Sequence, residues 1–256
     1  MIGEICRYPC KGLCAEVLET ALLSPGRGIE GDRKFAIALA GGDFDDDRPG
    51  HLPKTNFAML MRDQALATLR TCFDDRNHCL RVRPANGGKE QMYDLADDAS
   101  VRTFCRMLEA LLPDLAAKSG PFRLVSATGF MFSDVARPCV SIVNRASVTA
   151  LADALGQPLD GRRFRANILL DNLPPWAEFD WLDREITIGG ARARVFKRIV
   201  RCAATNVNPA NGQRDLNLPK ALMRHFGHAD MGIYAEIIEG GVARHGDRVG
   251  PAADRR

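Results

Sequence analysis

Three cysteines open the chain at close intervals, Cys6, Cys10 and Cys14 in CRYPCKGLC. Three thiols could hold an iron–sulfur cluster, with a spacing one residue longer than the three-cysteine loop of radical enzymes. No strand–helix repeat follows to build the barrel such enzymes use, so buried structural cysteine is the expected role. His225 and His228, three residues apart, could share one face of a short helix, but no third ligand follows at a matching interval for zinc. The stretch from Arg162 to Arg201 is richer. It carries nine basic residues, Arg162, Arg163, Arg165, Arg184, Arg192, Arg194, Lys197, Arg198 and Arg201, against five acidic ones. Arginine forks grip phosphate oxygens bidentately, so this segment could cradle a phosphorylated small ligand. Cys202 follows directly, and guanidinium groups beside a thiol favour the thiolate that binds metals and attacks electrophiles.

Elements must position these groups. Alternation and turn residues predict strands over 2–8, 14–22, 34–39, 78–82, 164–170, 185–188, 191–195, 231–238 and 248–249. Residues 99–112 place Val101, Phe104, Cys105, Leu108, Leu111 and Leu112 on one helical stripe. Asn144 caps a second helix that Gly156 closes, and a shorter helix is expected around Asp63 to Arg70. Strands without regular crossover helices imply a mostly antiparallel, barrel-like, β-rich α+β fold. The stretch 115–125 is the expected seam between an N-terminal β-rich subdomain, 1–118, and a second domain, 119–252.

The 256 residues include 35 basic and 32 acidic side chains, a net charge of +3, with 46% hydrophobic residues. That balance excludes a disordered chain and gives no long-range pull toward nucleic acid or an anionic membrane. Glu4 and Arg7 interrupt what would have to be the apolar core of a signal peptide, and no apolar run reaches membrane-spanning length. A cytoplasmic protein is expected, its eight cysteines reduced and mostly buried. No phosphate-binding loop, dinucleotide fingerprint or nucleophile elbow occurs.

Several short motifs in order carry a resemblance. They are Tyr8-Pro9-Cys10-Lys11, Gly31-Asp32-Arg33, Phe164-Arg165-Ala166-Asn167, Arg201-Cys202 with Thr205-Asn206-Val207-Asn208-Pro209 after it, and Gly246-Asp247. With these the chain resembles the MOSC family, named for the C-terminal domain of molybdenum cofactor sulfurase. It is most similar to the branch with an N-terminal MOSC-like region that includes the mitochondrial amidoxime-reducing component and its bacterial relatives.

The resemblance implies a MOSC-type β-barrel binding a molybdenum–molybdopterin cofactor. It makes Cys202 the catalytic residue and metal ligand, and Lys11, Arg33, Arg165, Asn167, Arg201 and Tyr234 the cofactor-binding residues. The implied activity is reduction of N-oxygenated small molecules by oxygen-atom transfer, with electrons from a separate reductase. A sulfur carrier using a Cys202 persulfide, or a cofactor-free MOSC module, is the alternative. Gly12, Val200 and the pair Val135-Ala136 stand where that branch has hydroxyl residues. The loop from Asp43 to His51 is expected to face the pocket mouth and help choose the substrate.

Overall fold

The computed structural model describes residues 1–253. The chain begins with β1 (Ile2–Arg7), β2 (Glu16–Leu18), β3 (Thr20–Ser24), β4 (Gly28–Ile29) and β5 (Phe35–Ala38). A hairpin region follows with β6 (Leu69–Asp74), β7 (Cys79–Pro84) and β8 (Gln91–Asp94), then helices α1 (Asp98–Leu111) and α2 (Pro113–Ser119). Next come β9 (Arg123–Ser126), β10 (Val140–Asn144), α3 (Arg145–Leu155) and β11 (Ile168–Leu170). The last part holds β12 (Glu185–Ile188), β13 (Ala191–Val200), α4 (Leu218–Phe226), β14 (Asp230–Glu239), β15 (Gly241–Arg244) and β16 (Val249–Pro251).

The main sheet runs β16-β12-β13-β14-β10-β11-β1-β2 and is strongly curled into a half-barrel. All its pairs are antiparallel except β10 with β11. The first strand thus joins the sheet of the C-terminal half: Gly246 N and Asp247 O bond the backbone of Ile2. Alternation on β13 buries Ala191, Ala193 and Val195 and leaves Arg192 and Arg194 to Glu185 on β12. Ile5, Ile142, Ile168, Ile186 and Ile233 fill the hollow of the curl. Each such side chain removed from water contributes about 1.5–3 kcal/mol.

A second core lies under α1. Asp97 accepts from Ser100 N as the cap, and Phe104, Cys105 and Leu108 pack on Phe73, Leu80 and Tyr93 of the β6–β8 sheet. Asn144 caps α3 by accepting from Ala146 N, and Gly156 ends it at φ +66°.

Three local expectations need correction. Asp63 to Arg70 is a short 3-10 turn, Gln64–Thr68, leading into β6, because Leu66, Ala67 and Leu69 are all drawn into the second core. The strand expected from Phe164 begins only at Ile168: the segment Gly161–Phe164 is a 3-10 turn, and Arg165 after it is left-handed at φ +50°. The stretch 115–125 carries Leu115 and Phe122 into the second core and leads into β9, which pairs with β5. Of the eight thiols only Cys6, Cys10, Cys105 and Cys139 are buried; the rest are half-buried.

Candidate functional site

The motifs singled out in the sequence are fastened to one another. Tyr8 N donates to Asp32 Oδ1 at 2.7 Å, and Arg33 N donates to Tyr8 O at 2.7 Å. Asn167 is 1% exposed and closes the next joint. Its Oδ1 accepts from Ser141 N at 3.1 Å and Ser141 Oγ at 2.8 Å, while its Nδ2 donates to Cys6 O at 3.2 Å. Arg201 completes the chain of contacts by donating to Phe164 O at 2.8 Å and to Met231 O.

These joints frame a cavity of about 270 Å³ at the end of β13. Lys11, Arg33, Arg165, Arg201, Cys202 and Tyr234 all line it. Asn167 does not; it lies behind the wall, holding Arg33 and β10 in place. The lining is cationic, with Lys54, Arg163, Lys197 and Arg198 added to the four expected cations and Asp134 as its one carboxylate.

The cations divide by whether a partner already holds them. Lys11 is 7% exposed, donates to Phe132 O at 3.1 Å and pairs with Asp134. Burial pulls its affinity for a proton down, with Asp134 opposing. Arg33 pairs with Asp32, which outweighs burial and holds the guanidinium charged well above its ordinary value. Arg163 is held by Asp215 and the carbonyl of Asn206. Arg201 spends its hydrogen bonds on carbonyls, and burial pushes it down to about 10.

Arg165 differs from these four, as do Lys197 and Arg198, whose side chains likewise have no acceptor among the described residues. The Arg165 guanidinium lies 4.4 Å from the centre of the Tyr8 ring, and among the described residues no acceptor takes a hydrogen bond from it. Arg33 lies over the same ring at 4.8 Å, and both arginines hold left-handed backbones, at φ 49° and 50°. Such conformations cost about 1 kcal/mol or more outside glycine and concentrate at functional sites. The Tyr234 ring stacks on Phe196, and its hydroxyl has no partner among the described residues.

Cys202 is half-buried and opens into this cavity. The cation within hydrogen-bond reach of its sulfur is Lys54, whose Nζ is 3.7 Å from Sγ, while the adjoining Arg201 gives its hydrogen bonds to carbonyls and acts on the sulfur only through its charge. By contrast, burial pushes the thiols of Cys10 and Cys139 up to about 12, and drives Cys6 higher still, as befits inert core sulfur. The basic stretch is split by the fold. Arg163, Arg165, Lys197, Arg198 and Arg201 reach the cavity, whereas Arg162 pairs with Asp160 and Arg192 and Arg194 with Glu185.

Nothing local in the sequence marks Lys54; Pro53 and the turn Lys54–Asn56 bring it inward. The loop Asp43 to His51 contributes no residue to the cavity lining, its Phe44 being buried on Phe57 and Phe132. Gly12 lines the cavity at φ +87°, and an added Cβ would meet Ala58 O at 3.1 Å and Leu66 Cδ1 at 3.3 Å. A serine there would be strained, which explains that departure from the related motif.

Residues 131–250 match the family model described as MOSC domain. The chain carries a MOSC domain. The chain is also similar to a molybdenum cofactor sulfurase of Anopheles gambiae, at 29% identity over 108 residues. That match covers 38% of the chain and 14% of the sulfurase, so the chain spans only a small part of its relative. Among solved structures it is similar to YiiM from Geobacillus stearothermophilus, with a TM-score of 0.36, 21% identity and coverage of 44% and 54% of the two chains. A second is the YUAD protein from Bacillus subtilis, with a TM-score of 0.45, 12% identity and coverage of 97% and 92%. No helix among the described residues is long and apolar enough to cross a membrane.

Proposed function

We propose that this MOSC protein binds a molybdenum–molybdopterin cofactor and reduces N-oxygenated small molecules, with electrons from a separate reductase. The observation that carries this reading is the Cys202 sulfur, open to a cavity lined by eight cationic side chains and one carboxylate. Among the described residues no group of three or more histidine, cysteine or carboxylate side chains could hold a metal. A metal that brings its own ligands within an anionic cofactor needs only one further donor, and a soft thiolate suits it. The donor set and the charge therefore fit the group. When bound, the group supplies oxygen-atom-transfer chemistry that no side chain provides.

The protein's own residues would do the rest. Arg165, free of any acceptor, would grip phosphate, with Lys11, Arg33 and Arg163 adding positive charge and the Tyr234 hydroxyl offering a further donor. Arg201 would brace the wall through its carbonyl bonds and leave the sulfur to Lys54. Lys54 Nζ would hold a proton beside the position where substrate reacts. The overall change takes two electrons and two protons and releases the substrate oxygen as water.

The test is elemental analysis for molybdenum together with fluorescence of the oxidised pterin released from the same purified protein. Near-equimolar metal and pterin in the parent, with metal lost in Cys202→Ser, is the expected result. Metal-free protein bearing a persulfide on Cys202 would instead support the sulfur carrier, and neither group would leave a cofactor-free module.

A further inference from the structure

A second cavity, of about 340 Å³, lies against the far side of the wall made by Gly12, Leu60, Arg163 and Arg165, which line both cavities. Its accessible apolar surface comes from Ala15, Val17, Pro209 and Ala210, with Leu13, Ala67 and Val207 almost wholly buried behind them. Four arginines also line it, and no carboxylate does. Three of them are already held: Arg70 by the carbonyls of Ala67, Pro209 and Ala210, Arg162 by Asp160, and Arg163 by Asp215. Arg165 alone has a guanidinium that meets only the face of Tyr8. Val17 is 60% exposed, so the cavity opens to solvent on its side.

We propose that this cavity is a binding site for a small carboxylate with an apolar body, such as a medium-chain acyl or an aryl carboxylic acid. A hydrocarbon body on Ala15, Val17, Pro209 and Ala210 leaves water while its carboxylate takes the unfilled fork of Arg165. A neutral apolar ligand would leave that fork unanswered, and a cationic one would be repelled by Arg70 and Arg165, which no carboxylate neutralises. Because Arg165 also faces the cavity of Cys202, an anion bound on either side draws on the same group. The lining is made by the chain alone, and since a cofactor phosphate on Arg165 would compete for the same fork, the pterin content of the titrated sample tells a failure of this site from a failure of the function proposed above.

Isothermal titration of the purified full chain with octanoate, benzoate and octylamine tests the site. Octanoate or benzoate should bind once per chain and octylamine not at all, the better carboxylate telling whether an acyl or an aryl body is preferred. Val17→Glu and Ala210→Glu put a carboxylate on solvent-facing lining positions that belong to this cavity alone, and each should weaken carboxylate binding about tenfold. Absence of binding by both carboxylates, equal binding of octylamine, or affinity unchanged in both variants would overturn the proposal.

Discussion

Lys54 Nζ stands 3.7 Å from Cys202 Sγ, across 148 residues of chain. The ammonium is carried on the turn Lys54–Asn56 and the sulfur sits at the exit of β13, so two separate parts of the chain meet at this contact. Such a cation donates to an anionic sulfur, with charge-assisted strength. Lys54→Met should therefore slow alkylation of Cys202 by iodoacetamide by about tenfold at neutral pH. Peptide mass spectrometry would follow the rate at that residue, and an unchanged rate would remove Lys54 from the site.

Arg165→Ala deletes a group with no hydrogen-bond acceptor but one stacked ring, so its cost to stability should stay within about 2 kcal/mol. Loss of anion capture should be larger in effect. Pterin released per mole of protein is expected to fall severalfold while the urea midpoint moves little. A large midpoint shift with full pterin content would reverse that assignment.

Asn167 should behave in the opposite way. Asn167→Ala removes the acceptor for Ser141 N and Ser141 Oγ and the donor to Cys6 O in a place sealed from water. Stranding buried polar groups costs about 1–3 kcal/mol each, so a loss of roughly 3 kcal/mol is expected in urea unfolding. A neutral effect would show that water reaches and satisfies these groups.

Asp134 sits among cations and has its carboxyl held below the ordinary carboxylate value: burial pushes it up, but the charge and hydrogen bond of Lys11 outweigh that. The sign follows directly. A carboxyl depressed in the folded state contributes its pairing above its unfolded value and loses it as pH falls through the depressed one. Protonation then frees Lys11 and raises the positive charge of the cavity. Sulfate affinity of cofactor-free protein should rise as pH drops through the acidic range, and Asp134→Asn should show the higher affinity already at neutral pH. If the substitution lowers sulfate affinity, Asp134 is not the counter-charge of this cavity.

Much of the scaffold is legible from local rules. The stripe from Val101 to Leu112, the Asn144 cap, the Gly156 stop and the alternation at 191–195 each depend on neighbours a few residues away, and each recurs in the structure. The short motifs around Tyr8, Arg33, Arg165 and Arg201 likewise mark stretches that bond one another, side chain to backbone, across the cavity wall. What those rules could not supply is the direction in which each charged side chain spends its hydrogen bonds. Arg201 adjoins Cys202 in sequence, yet the curl of the sheet turns its fork onto the carbonyls of Phe164 and Met231. Lys54, remote in the chain, takes the position beside the sulfur, and Arg165 is left with an aromatic face and open space. Periodicity and capping are settled within a turn or two of chain. Which cation remains unpaired at a cavity is settled by every acceptor within reach, and those acceptors come together only when distant strands pack.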